Sequence, residues 1–531
     1  MFDIGTISLV LLLAMLVLLA IGMPLGFASA VLAAGVLFMK FGPDFLFGTF
    51  GTGPLNILAQ RIYGLLTDYV LISIPLFIFM ANLLERSGIA GQMYTSLNVW
   101  LSRTRGGIAI VTSIMAVIMA AMSGIIGGEV VLLGLIALPQ MLRLGYNQNL
   151  AIGVICASGS LGTMIPPSIV LIIYGLITET SIKALFTASF LPGLMLASFY
   201  ILYIIIRTRI QPDLAPLPPD DPNDPKGSEK GVLFLTFLTT IAAGFGAVMF
   251  LRALFFTVTG QNAVREGVDL ISLGTPAHVW KLGLFTIVCV AMILFLFGKE
   301  RLKTSWAMGK GLVAPTIVIG VVLGSIYGGI TGITEAAGMG VIAVAAVAVL
   351  RRELTGHMLW DSLKRTLKST GTIIWVTIGA TALAGAYTIA GGPTYIANMI
   401  VGLDMPAMGI ILVMMVIFLI LGALMDWVGI VLLVMPVFLP IVLRLPVAEI
   451  GLFGELNPRH VAIWFGVVFC MNMQVSFLSP PFGPAAFYLK SVAPPHISLT
   501  DIFKGFLPFI ALQLLALSVL LIWPPLISVF L

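Results

Sequence analysis

The stretch Gly159–Tyr174 reads GSLGTMIPPSIVLIIY, a long apolar run that is interrupted by two consecutive prolines. Proline lacks the N–H of a helix interior and clashes with the preceding turn, and the residue before it is driven out of the helical region. We therefore predict a helix that opens at Pro166–Pro167 and exposes carbonyl oxygens. Together with the hydroxyls of Ser160, Thr163 and Ser168, these oxygens suit a hard cation such as Na⁺. A simple packed kink is the alternative.

The composition indicates that this run lies in a membrane. Of the 531 residues, 60% are hydrophobic and 9% are charged, whereas a typical soluble domain carries about 25% charged residues. Apolar runs that could cross a hydrocarbon core of roughly 30 Å recur from Ile7 to the C-terminus, and lipid-embedded backbone must bond internally, so the runs are helices. We predict an all-α polytopic membrane protein. Its first run is expected to be retained, because Met1–Thr6 lacks the basic residues of a signal peptide.

The two halves of the chain resemble each other. LPQMLRL at 138–144 is repeated as LPIVLRL at 439–445, and the double proline recurs in SFLSPPFGP at 476–484. In both halves the order is a helix pair, an amphipathic connector, a helix, a long apolar run and a Pro-interrupted run. Weak internal symmetry of this kind is typical of secondary transporters.

This order predicts three regions. The first repeat covers 1–206, with a re-entrant hairpin at 107–141 and a broken helix at 150–178. Residues 207–310 hold a solvated linker, rich in Pro and Asp, and one extra transmembrane helix pair. The second repeat covers 311–531, with a hairpin at 407–442 and a broken helix at 460–490.

Charge predicts that the repeats are inverted. The connector Lys40–Tyr69 carries few cations while its partner Arg351–Gly371 carries many, and the following loops show the opposite bias. Since Lys and Arg favour the cytoplasmic side, equivalent loops should face opposite sides. Starting outside, this topology places 19 of the 27 Lys and Arg residues in the cytoplasm. Within the connectors, 57–68 and 353–369 are each predicted to form a helix that lies in the interface.

Each predicted hairpin contains one carboxylate, Glu129 in the first and Asp426 in the second. A charge at this depth costs about 2.5–3.5 kcal/mol on insertion scales and is usually paired or functional. Each could instead cap the second helix of its hairpin, where a helix N-terminus favours an anion. These two interpretations are compatible. Glu335, in TGITEAAGMG at 331–340, is read as an acid at an ordinary helix start. The cysteines and histidines show no metal-site spacing.

Four motifs in this order resemble the large membrane subunit of tripartite ATP-independent periplasmic (TRAP) transporters. The resemblance implies a multi-pass protein of the bacterial inner membrane that takes up an organic acid by Na⁺ symport, through an elevator mechanism and without a cofactor. It also implies two partners, a small four-helix membrane subunit and a periplasmic binding protein. The motifs are GTMIPPSIVLIIYG (162–175), GGITGITEAAGMG (328–340), ALMDWVGIVLLVMPVFLP (423–440) and SFLSPPFGPAAFYL (476–489).

The resemblance also implies site residues. One Na⁺ site would use Ser123, Gly124, Gly162, Thr163, Ile165 and Pro166. A second would use Gly422, Asp426, Ser476, Leu478, Ser479 and Pro480. The substrate is expected between the hairpin tips, near Ser123, Glu129, Ser160, Asp426 and Asn472.

Two other functions compete with this interpretation. A stand-alone ion-coupled carboxylate transporter would need no binding protein. A membrane enzyme would need acids and histidines clustered at one interface, but the charges lie in loops or singly at helix breaks.

The central insertion resembles that of a subgroup linked to 2-oxo acids, mannitol or chloroaromatic compounds.

Overall fold

The structure, a computed structural model, shows a helical protein. It describes residues 2–43, 53–101, 104–124, 127–218, 225, 227–260, 274–402, 405–423, 425–481 and 483–531. Within these ranges there are helices and no β-strands. Eight of the described helical stretches are long and apolar enough to cross a bilayer. The predicted all-α, multi-pass architecture is confirmed.

The helices are numbered in chain order. Those of the first half are α1 (Ile4–Ala20), α2 (Leu25–Phe41), α3 (Pro54–Leu66), α4 (Ser73–Arg86), α5 (Ile89–Leu101), α6 (Gly107–Ser123), α7 (Gly128–Arg143), α8 (Gln148–Gly159), α9 (Ile169–Thr178) and α10 (Ile182–Ile210). Those of the centre are α11 (Ser228–Thr259), α12 (Val279–Ala291) and α13 (Gly298–Gly309). Those of the second half are α14 (Val313–Tyr327), α15 (Ile333–Leu350), α16 (Gly356–Ile389), α17 (Gly392–Val401), α18 (Ala407–Gly422), α19 (Trp427–Val442), α20 (Val461–Leu478), α21 (Pro484–Lys490) and α22 (Leu499–Ile522).

One group of helices packs around α16, which contacts α2, α3 and α4 along its length. The backbones of α2 and α16 come very close, because glycines face each other: a Cβ placed on Gly379 would lie 2.2 Å from the Gly26 carbonyl oxygen. Small residues of this kind allow close helix approach where no hydrophobic effect operates. Between α4 and α16, Arg86 pairs with Asp361 at 2.9 Å. We call this group the framework.

The second group contains both predicted hairpins and both broken helices. Helix α20 forms its centre, and every residue of Val461–Leu478 except Ala462 is buried. The halves exchange contacts, since α9 packs against α19 of the second hairpin and α21 packs against α7 of the first. Each broken helix therefore also contacts the hairpin of the other half.

The two amphipathic connectors differ in structure. The first ends at Leu66, and the Asp68 side chain accepts a hydrogen bond from the Val70 amide (2.8 Å), which starts a new turn. The second was wrongly predicted as a separate element, because α16 runs unbroken from Gly356 to Ile389. No proline interrupts this segment, so the connector and the following apolar run continue as one helix.

The start of the predicted linker is also not wholly solvated. Ala215 is buried, and the Leu214 carbonyl oxygen accepts a hydrogen bond from the Asn147 amide (2.9 Å). Residues 219–224 and 226 of this linker lie outside the described residues. The central pair, α11 with α12 and α13, attaches to α5 through Trp100, whose ring packs edge-on against Phe234. The predicted run 280–298 continues as helix to Gly309.

The close contact of α2 and α16 predicts the effect of one methyl group. Gly379→Ala should lower the melting temperature of the purified protein, because the added Cβ meets backbone that cannot yield; overpacking of this kind costs about 1–3 kcal/mol. Gly371→Ala is the control on the same helix, since a Cβ there would meet nothing within 4 Å. Equal melting temperatures for the two variants would contradict the predicted contact.

Candidate functional site

The first broken helix opens at its double proline, as predicted. Helix α8 ends at Gly159, a short 3₁₀ turn covers Leu161–Thr163, and α9 begins at Ile169. The Pro166–Pro167 peptide bond is cis. Among the described residues, no hydrogen-bond donor reaches the carbonyl oxygens of Ile165 and Pro166. The whole segment 161–170 is nevertheless buried. Free carbonyl oxygens are therefore held inside the protein.

The tip of the first hairpin covers this break. Gly124 has a φ of +62° and its carbonyl oxygen accepts a hydrogen bond from the Ile169 amide (3.4 Å). A Cβ on Gly124 would lie only 2.2 Å from the Pro167 carbonyl oxygen. Glycine is needed here both for its left-handed backbone and for the close approach. The structure thus places Gly124 against Pro167 and Ile169, directly after the predicted ligands Gly162–Pro166.

Glu129 lies in the first turn of α7 and is 2% exposed. Its Oε1 accepts a hydrogen bond from the Ser123 hydroxyl, across the hairpin tip. Its carboxylate also lies against Gly162, where a Cβ would meet Oε1 at 2.9 Å. No side-chain bond caps the α7 N-terminus. The carboxylate therefore contacts the break rather than the backbone amides of its own helix.

A residue that the sequence analysis missed links the two halves. The Gln474 side-chain amide, on α20, donates a hydrogen bond to the Thr163 hydroxyl in the first break. Gln474 is fully buried. The feature of the sequence that could have indicated Gln474 as a site residue is its polarity in a largely apolar helix, VAIWFGVVFCMNMQVSFL.

The second break has a different environment. Helix α20 ends at Leu478 and α21 begins at Pro484, and the Pro480–Pro481 bond is also cis. The Gly483 amide donates to the Ser479 carbonyl oxygen (2.9 Å). Leu478 is buried, but Pro480 and Pro481 are exposed. The first break is thus enclosed, while the second reaches the protein surface.

A small cavity lies at the tip of the second hairpin. Its volume is about 10 Å³, and its walls include Gly422, Asp426 and Ser476. A polar cavity of this size holds about one water-sized particle. Asp426 occupies the N-cap position of α19. Three of the six residues predicted for the second Na⁺ site therefore line one cavity, whereas Leu478, Ser479 and Pro480 do not line it.

A larger cavity of about 350 Å³ lies between the framework and the first hairpin. This volume is within the range of small-molecule sites. Two predicted substrate contacts, Ser123 and Glu129, line it. The other polar residues of its walls were not predicted from the sequence; they are Asn82 and Glu85 on α4, Arg365, Lys368 and Ser369 on α16, and Tyr488 on α21.

Of the other three predicted substrate contacts, Asp426 lines the small cavity, and the remaining two lie elsewhere. The Asn472 side-chain amide donates to the Met415 carbonyl oxygen (3.0 Å), which ties α20 to α18. The Ser160 hydroxyl donates to the Ala157 carbonyl oxygen (2.8 Å). Neither residue lines the two cavities described above. In the part of the chain that the structure describes, no three His, Cys, Asp or Glu side chains are grouped to hold a metal ion.

Comparison with known proteins identifies relatives along nearly the whole chain. Residues 12–527 match the family described as "Tripartite ATP-independent periplasmic transporter, DctM component". The ectoine/5-hydroxyectoine TRAP transporter large permease protein UehC of Ruegeria pomeroyi is 26% identical over 98% of this chain and 97% of its own length. The C4-dicarboxylate TRAP transporter large permease protein DctM of Pseudomonas aeruginosa is 24% identical over 92% and 91%.

A third relative is longer than this chain. The isethionate TRAP transporter permease protein DctMQ of Oleidesulfovibrio alaskensis is 25% identical over 94% of this chain, which spans only 62% of that protein. The fold is also similar to the crystal structure of the YdaH transporter of Alcanivorax borkumensis, with a TM-score of 0.50, 14% identity, and coverage of 96% and 97% of the two chains. The chain belongs to the tripartite ATP-independent periplasmic transporter family as its DctM component, a multi-pass inner-membrane permease and not an enzyme.

Proposed function

We propose that this chain carries an organic acid into the cell in symport with Na⁺. The observation that carries the proposal is the 350 Å³ cavity, where Ser123 of the first hairpin faces Arg365 and Lys368 of the framework. Guanidinium and ammonium groups bind carboxylates. The names of two relatives, which refer to a C4-dicarboxylate and to isethionate, support an organic acid as substrate.

Two cation sites would supply the coupling to Na⁺. The first lies where Ser123 and Gly124 cover the break at Gly162–Pro166. The second lies at the 10 Å³ cavity beside Gly422, Asp426 and Ser476. Free carbonyl oxygens at broken helices and a cavity for one small particle both suit a partly dehydrated Na⁺. Ser123, at the tip of the first hairpin, would also contact the substrate.

Transport would follow an elevator mechanism with inverted repeats. The group of hairpins and broken helices would move against the framework. The exchanged contacts between the halves support a pseudo-two-fold relation. The cavity lies at the end of α4 that carries Arg86, which the charge bias assigns to the cytoplasm. The described conformation would therefore release substrate inward.

We infer that two partners complete the transporter, a small four-helix membrane subunit and a periplasmic binding protein. The longer DctMQ relative supports the first partner, since this chain matches only 62% of it. The framework would be extended by the small subunit, and the binding protein would deliver the substrate from the opposite side.

Reconstitution tests this proposal directly. Proteoliposomes holding this chain, its small subunit and its binding protein should accumulate a labelled organic acid only when an inward Na⁺ gradient is present. Omission of either partner should abolish uptake. Uptake by this chain alone would favour the stand-alone carboxylate transporter, and equal uptake in a K⁺ gradient would contradict coupling to Na⁺.

The contact between the first hairpin and the first break predicts that Gly124→Ala abolishes most uptake. The added Cβ would displace the hairpin tip from the Pro167 carbonyl oxygen. Gly22→Ala is the matched control: Gly22 also has a positive φ, +84°, but a Cβ there would meet nothing within 4 Å. In both variants an alanine must adopt the left-handed backbone conformation, which costs about 1–2 kcal/mol. If the two lost uptake equally, the hairpin contact would not be the cause.

The cations of the large cavity predict a change in apparent KM. The double substitution Arg365→Gln with Lys368→Gln should raise the apparent KM for the anion on the cytoplasmic side about tenfold, because charged clefts concentrate counter-ions. The measurement is substrate-driven exchange in proteoliposomes. Lys364→Gln is the control on the same helix, since the Lys364 ammonium lies 5.6 Å from the Trp360 ring and does not line the cavity. A KM unchanged by the double substitution would contradict the proposed anion cavity.

A further inference from the structure

The two cation sites proposed above differ in charge. The second includes a carboxylate, Asp426, on the wall of its small cavity. The first, as predicted from the sequence, consists of hydroxyl and backbone oxygens from Ser123 to Gly124 and from Gly162 to Pro166. A site with only neutral ligands does not balance the charge of a bound cation. The structure indicates which group could do so.

Glu129 is the carboxylate nearest to the first site. It is 2% exposed, and its Oε1 is bonded to the Ser123 hydroxyl. Its Oε2 is buried and has no hydrogen-bond partner among the described residues. Both oxygens lie against Gly162, with distances of 2.9 Å and 3.1 Å to a Cβ built there. The unpartnered oxygen is therefore held between the hairpin tip and the break.

A buried carboxylate without compensation is strongly disfavoured. The charged groups that share the large cavity with Glu129 are Glu85, Arg365 and Lys368. None of these cations lies within ion-pair distance of Glu129 in the described structure, in which Arg86–Asp361 is the one ion pair. Glu85 carries the same sign and lies against Gly128. Apart from the hydrogen bond from the Ser123 hydroxyl, no described cationic side chain therefore compensates the charge of Glu129.

We propose that Glu129 is the anionic ligand of a Na⁺ ion bound between the first hairpin and the first break. This inference rests on the proposed Na⁺ symport and makes Glu129 a cation ligand rather than a direct substrate contact. The other ligands are the Ser123 hydroxyl and carbonyl oxygens freed at Ile165 and Pro166. Each hairpin tip then contributes one carboxylate and each site is electrically neutral when filled.

Glu129→Gln tests this assignment, because it keeps the shape of the side chain and removes its charge. The probe is NaCl against KCl at constant ionic strength, and the readout is thermal stabilisation of the purified full chain in nanodiscs. The half-saturating Na⁺ concentration should rise at least about tenfold, since the charge of the ligands sets cation affinity. The Hill coefficient should fall towards 1. Glu129→Asp, which retains the charge, should respond to Na⁺ more strongly than Glu129→Gln.

Glu335→Gln is the matched control. Glu335 also lies in the first turn of a membrane helix, α15, but it is exposed and away from both hairpins, so its Na⁺ response should equal that of the unsubstituted protein. A Glu129→Gln variant with an unchanged Na⁺ response would overturn the assignment, as would equal losses in Glu129→Gln and Glu335→Gln. If the unsubstituted protein showed no Na⁺ response, the proposed symport itself would fail, which is a distinct result.

Discussion

The rest of this structure depends on how the unpaired backbone N–H and C=O groups of an interrupted helix are accommodated. Inside a bilayer no water satisfies them, so an irregular segment is tolerated only when protein surrounds it or it lines a cavity. The first break meets this condition through the Gly124 carbonyl, which accepts from the Ile169 amide, and through the Gln474 amide, which donates to the Thr163 hydroxyl. These contacts come from a hairpin and from the other half of the chain. The break is therefore enclosed by residues of both halves.

The two breaks are not in equivalent environments. Residues 161–170 are buried beneath the first hairpin, whereas Pro480 and Pro481 are exposed. The 350 Å³ cavity lies on the side of the first hairpin, between it and α4 and α16. This asymmetry would suit the alternating access that we propose for this chain.

Much of this fold could be predicted because membrane helices leave strong local signals. Long apolar runs gave the spans, and the double prolines located both breaks to within a few residues. Helix continuity was less predictable. The segment after Arg352 has charges at helical spacing, which predict a separate interfacial helix. Nothing in its sequence prevents the helix from continuing through Gly371 to Ile389, and it does so. The beginning of the linker at Leu214 and Ala215 was wrongly described as solvated because its docking partner, Asn147, is distant in sequence.

The site was predictable only in part, for a related reason. Ser123, Gly162, Gly422 and Asp426 belong to motifs at hairpins and breaks, where local sequence is informative. Arg365 and Lys368 belong to an amphipathic helix, where cations are ordinarily solvated, and only the tertiary structure turns them toward a cavity shared with Ser123. The partner of Gln474 was equally hidden, since Thr163 lies 311 residues away.

The unbroken course of α16 has a consequence for its place in the bilayer. At 1.5 Å per residue its 34 residues extend roughly 51 Å, well beyond a hydrocarbon thickness of about 30 Å. The charged N-terminal part of the helix, Gly356–Ser369, would carry that end beyond the apolar layer into the headgroup region. Trp360 is 60% exposed, and the Lys364 ammonium lies over its ring, a pairing suited to the lipid–water boundary. The bilayer itself would thus set the depth at which α16 is inserted.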